Sequence, residues 1–96
     1  MAALTPTSPT PIRENVGSLT LMIVEFASVN GGAGTGDTWA SGLGTNVVNF
    51  WCQDKTIQAT QTQSGCNVSY ASTTGIFTLN PEVNGDAVTL FVLARI

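Results

Sequence analysis

The 96-residue sequence contains no histidine, and only 9% of its residues are charged. Without histidine it lacks the one side chain whose ordinary pKa lies near neutral pH. Its options for a general base or a nucleophile shrink to a few carboxylates, one lysine, two cysteines and its hydroxyls. Basic residues are just as scarce. Arg13, Lys55 and Arg95 are widely separated, too few and too scattered to neutralise a run of phosphates, so a nucleic-acid partner is excluded. Long hydrophobic runs are missing too. The longest centres on Leu21 to Val24, far short of the ~20 residues a membrane-spanning helix needs, and no membrane role is expected. Met1-Ala2-Ala3-Leu4 leads directly into Thr, Pro and Ser, with neither a basic n-region nor an apolar h-region. No signal peptide and synthesis in a cytosol are therefore expected. Two cysteines and no histidine cannot complete a four-ligand zinc site within one chain, and no metal or cofactor is expected.

What is present is strand-forming sequence broken by turns. The length fits one domain. Hydrophobic residues make up 43% of the chain, while its charge lies well below the roughly 25% of an average domain. Thr, Ser, Asn, Gln and Gly must therefore cover much of the outside. The combination points to a surface partly hidden by copies of the chain or by another protein. Thr5 to Pro11 reads T-P-T-S-P-T-P, which excludes helix and sheet interior. Residues 1–17 are accordingly expected to form an extended Pro/Thr-rich arm, either a disordered tail or an arm that lies on a neighbouring subunit, and residues 18–96 a β-domain.

Within that domain, Ser18 to Ala27 alternates with Leu19, Leu21, Ile23 and Glu25 on one side and Thr20, Met22, Val24 and Phe26 on the other. Both sides are mostly apolar, as in a strand covered on both faces. Asn30 to Asn46 carries six glycines and reads as a long loop, costly to order. Trp39 and Leu43 are its expected anchors, and Asp37 the expected cap of a single helical turn. Further strands are expected at Val47–Gln53, at the polar stretch Thr56–Thr62, and at Cys66–Ala71, Ile76–Asn80 and Ala87–Arg95. Their spacing and turn signals predict an all-β fold, a small antiparallel sandwich or barrel of about six strands.

Chemistry-bearing patterns are few. Gly31-Gly32-Ala33-Gly34-Thr35-Gly36 fits neither the dinucleotide spacing nor a phosphate loop followed by Lys and Ser or Thr. Asp37, Asp54, Glu82 and Asp86 fall at turns or in loops, as solvated carboxylates do. Glu25 stands on an apolar strand, where it sits at a solvent-exposed end or pairs with Arg95. No catalytic constellation emerges, and the chain is not expected to be an enzyme. Cys52 and Cys66 would close a loop of about 15 residues. If Thr56–Thr62 pairs between their strands, they lie roughly 9.6 Å apart, beyond the ~7 Å limit for a disulfide. Free thiols are the preferred expectation, with a disulfide open only if the intervening strand crosses to another sheet.

One arrangement of these features resembles small virion proteins of tailed bacteriophages. It comprises the Pro-Thr leader, the strand Leu19–Phe26, G-D-T-W-x-S-G-L at Gly36–Leu43, the aromatic strand Val47–Gln53 and a Thr/Gln strand. G-I-F-T-L-N, a turn and V-T-L-F-V-L-A-R complete it. The pattern is similar to that of capsid cement or decoration proteins. The resemblance implies a β-rich homotrimer on the outside of the shell, made in the host cytoplasm, that reinforces contacts between major capsid proteins. It carries over no catalytic, cofactor or metal residues. Pro6, Pro9, Pro11, Ile12, Trp39, Leu43 and Trp51 are the candidate contacts with other subunits or the capsid. The alternative reading is a binding module, on a virion head or tail, whose aromatic residues Trp39, Trp51 or Tyr70 stack on glycans of a host surface.

Overall fold

The computed structural model describes residues 3–6, 12–30, 36–55, 66–81 and 83–96. Among them the regular elements are β1 (Ile12–Val16), β2 (Leu19–Val29), β3 (Asp37–Ala40), a 3-10 turn (Gly44–Asn46), β4 (Val47–Asp54), β5 (Cys66–Ala71), β6 (Ile76–Pro81) and β7 (Asp86–Ala94). They form two antiparallel sheets, a four-stranded one in the order β1-β2-β7-β4 and a three-stranded one in the order β3-β6-β5. The chain is a small all-β sandwich, as its alternating strands and frequent turns foretell. Among the described residues no helix is long and apolar enough to cross a membrane.

The core follows from side-chain alternation. In β2, Met22, Val24 and Phe26 are buried and Leu21, Ile23 and Glu25 are partly open; in β7, Val88, Leu90, Val92 and Ala94 are buried. Phe77 and Leu79 of β6 face them from the other sheet and are fully buried. Each side chain of this size contributes about 1.5–3 kcal/mol when withdrawn from water. Bulges interrupt pairing in β2 between Phe26 and Val29 and in β4 between Val47 and Asn49, and Val29 returns to the core beyond the first. An aromatic cluster fills one end. Phe77 lies 5.9 Å from Trp39, 5.4 Å from Phe50 and 4.3 Å from Tyr70 between ring centres.

Several expectations need correction. Ile12–Val16, assigned above to the arm, is a strand that pairs with β2 from Ile12↔Ile23 to Val16↔Leu19. Gly17 (φ +63°) and Ser18 close the two-residue hairpin, and that positive φ is what a tight hairpin asks of its first loop residue. Before β1, Ala3 bridges Thr38 in parallel, and the Leu4 N–H donates to the Thr38 carbonyl at 2.6 Å. Asp37 opens a strand, not a helical turn. Its carboxylate accepts from the Asn30 N–H at 2.9 Å while its own N–H donates to the Asn30 carbonyl at 2.8 Å, so it is tied back to the residue where the glycine-rich segment begins. The 3-10 turn falls later, at Gly44–Asn46. Glu25 pairs with Lys55 at 2.7 Å, not with Arg95. β2 and β7 are indeed neighbours, but their antiparallel register sets Glu25 opposite Thr89 and carries Arg95 towards the far end. The expected strand at Thr56–Thr62 lies outside the described residues.

Candidate interaction surface

The four-stranded sheet has one face on the core and one facing away from it. Paired residues in a ladder point to the same face, so the register lays out the outer face row by row. One row runs across all four strands: Ile12 pairs with Ile23, Ile23 with Phe91, and Phe91 with Trp51. All four side chains are apolar. At about 4.8 Å between strands, the row spans roughly 14 Å. Trp51 and Phe91 stack with ring centres 5.3 Å apart and planes inclined by 10°. Ile12 is 41% exposed and Trp51 43%; Ile23 and Phe91 between them are half-buried.

The flanking rows define the edges of the patch. Towards the hairpin end, Glu14, Leu21, Leu93 and Asn49 form the next row, apolar in the middle and polar at both sides. Val16 and Leu19 extend the apolar surface beyond it. In the opposite direction the row is Glu25, Thr89 and Gln53, and the Lys55–Glu25 ion pair closes that end. Both partners of the pair are well exposed, which limits its contribution to about 0–1 kcal/mol. The result is a greasy band with a polar border, the arrangement found at protein–protein contacts.

The expected contact residues fall into distinct places. Ile12 and Trp51 stand at the two ends of the central row. Trp39 is half-buried inside the subunit, edge-on to Phe26 at 5.9 Å and stacked on Phe77. Leu43 is buried in the core. Both act as the anchors expected of the glycine-rich segment. Pro6 is half-buried; Pro9 and Pro11 lie outside the described residues. Tyr70 also points inward, and its hydroxyl donates to the Gly44 carbonyl at 2.6 Å. Of the three aromatic residues considered for sugar stacking, only Trp51 is exposed. Ile23, Leu21, Phe91 and Leu93 were not singled out as contacts, although alternation already placed Leu19, Leu21 and Ile23 together. Apolar faces on both sides of Leu19–Phe26 and Ala87–Arg95 are legible in the sequence; what local alternation leaves open is the register of β7 beside β2, which sets Phe91 opposite Ile23 and Leu93 opposite Leu21.

The cysteines occupy the side where the two sheets meet. Among the described residues β4 is the last strand of one sheet and β5 the last of the other, and the two strands approach each other directly; the strand expected between them, Thr56–Thr62, lies outside the described residues. Both thiols are free, and they share a hydrogen bond. That bond pushes the Cys52 thiol up, with burial and the charges of Cys66 and Asp54 acting in the same direction. The same bond lowers Cys66 against the opposing effect of burial and of nearby Asp54. Cys66 therefore ionises first, with Cys52 as the donor. Among the described residues no group of three or more Cys, Asp or Glu is placed to hold a metal ion.

Comparison with protein-family models, with curated proteins and with solved structures finds no match. Fold and geometry define a class on their own terms: a small antiparallel sandwich with an apolar row that crosses all four strands of one sheet and is exposed at both ends.

Proposed function

We propose that this chain is a virion structural protein, a cement or decoration protein of a tailed-phage capsid that acts as a homotrimer on the outside of the shell. In this reading it binds the major capsid protein and reinforces contacts between its copies. The observation that carries the reading is the row Ile12–Ile23–Phe91–Trp51, apolar from edge to edge of the four-stranded sheet and exposed at both ends. Soluble monomers rarely leave so continuous an apolar band in water. The scarcity of charge agrees with a surface meant for packing. Individually weak contacts suffice for such a role, because a trimer that engages several capsid subunits gains from multivalency.

A second reading, a glycan-binding module, draws support from Trp51 alone. Phe91 backs one side of its indole, and Asn49 and Gln53 flank it on the same face of β4. The two readings separate experimentally. Sedimentation of the purified chain over a concentration series should give a trimer mass, and purified particles should contain the protein in many copies. A strict monomer that fails to bind shells refutes the first reading, and a glycan array without hits refutes the second.

A further inference from the structure

We propose that Cys52 and Cys66 are the site of an intramolecular disulfide that clasps the two sheets together under oxidising conditions. The two residues stand on facing edge strands, Cys52 in β4 and Cys66 at the first position of β5. Cα atoms of these strands approach to within 8 Å, closer than the ~10 Å that separates stacked sheets. Cys66 belongs to the buried core and Cys52 packs against it. Among the described residues β4 pairs only with β7 and β5 only with β6. Among the described residues each of these strands has a ladder on one side alone, which leaves its other side open to the inward shift that joins the sulfurs. Reducing conditions keep the clasp open, and oxidising ones close it.

Glutathione disulfide serves as the oxidant. One thiol of the pair, as its thiolate, attacks one of its sulfurs, forming a mixed disulfide and expelling one glutathione thiolate. The other thiol loses its proton to solvent and attacks the cysteine sulfur of that mixed disulfide. The Cys52–Cys66 bond forms, the mixed disulfide breaks, and the second glutathione thiolate leaves. The protein gives up two electrons and two protons in total, and glutathione disulfide is reduced to two glutathiones.

The test uses the full chain, reduced and then held with excess glutathione disulfide in native buffer. The expected product is a monomer lighter by about 2 Da, the two thiol hydrogens, with Cys52 and Cys66 joined on peptide mapping. Closing a loop of this length should raise its melting temperature by roughly 10–20 °C over the sample in dithiothreitol. Cys52→Ser and Cys66→Ser should each stop at the glutathione adduct and gain no such increase. Should either variant fail to fold, the unsubstituted chain decides. Two thiols still free after oxidation, dimers linked through cysteine, or a joined chain that melts no higher would each overturn the proposal.

Discussion

Replacing Trp51 by threonine separates the two roles that this residue could have. Threonine is β-branched, and strands favour β-branched residues as they favour aromatic ones, so the change removes the indole without disfavouring β4. In the isolated subunit the loss is limited. Trp51 is 43% exposed and its ring contact is with Phe91, and an aromatic pair contributes about 0.5–1.5 kcal/mol beyond its buried area. Together with the area lost against Phe91, folding should weaken by roughly 1–2 kcal/mol. Association should suffer more. A tryptophan this exposed leaves about 100 Å² in water, and covering that area in a subunit contact is worth about 2.5 kcal/mol. The dissociation constant should therefore rise by roughly 50–100-fold for each contact that buries Trp51. Urea titration of a dilute sample reports the first quantity, and sedimentation equilibrium over a concentration series the second. A variant whose stability falls as expected while its dissociation constant stays within about threefold of the parent would refute the argument that this face is an interface.

Other positions test the fold that presents this face. Phe77→Ala removes the ring on which Trp39, Phe50 and Tyr70 converge; a loss of about 3–5 kcal/mol is expected in chemical denaturation. Gly36→Ala places a Cβ against the Leu79 carbonyl and within 2.6 Å of the Asn80 side-chain oxygen. Leu79 is held in register by Asp37 and Val68 and cannot retreat, so thermal melting should show a loss of roughly 1–3 kcal/mol. Tyr70→Phe deletes the 2.6 Å bond to the Gly44 carbonyl and should cost about 1 kcal/mol in urea denaturation. Lys55→Gln breaks only the exposed pair with Glu25 and should change stability by less than about 1 kcal/mol at any salt concentration.

Strand positions were legible because alternation and turn residues act locally. Cys66–Ala71 follows its expected bounds, and the strands at Val47 and Ile76 run only one residue further than expected. Two strands escaped notice for different reasons. Ile12-Arg13-Glu14-Asn15-Val16 carries three polar residues and directly follows a proline-rich run, so nothing in its composition marks a strand. It forms because β2 offers a free edge and Gly17 permits the hairpin. Asp37–Ala40 is only four residues long and sits in glycine-rich sequence. Its strand conformation comes from pairing with β6 and from the lock between Asp37 and Asn30, both contacts made across the chain.

The candidate surface shows more sharply where local reading ends. Alternation in β2 reveals that both of its sides are apolar, but not which side the second sheet covers. That depends on the pairing order, and the order depends on contacts between residues far apart in sequence. Once β7 is placed between β2 and β4, Phe91 must lie between Ile23 and Trp51, because antiparallel register leaves no other residue at that point in the row. The same topology sends β4 and β5 to one side of the sandwich in separate sheets, and brings together two cysteines that a single-sheet arrangement would hold apart. Apolar face and facing thiols are thus consequences of one fact, the order of strands, and neither follows from any segment of the sequence taken alone.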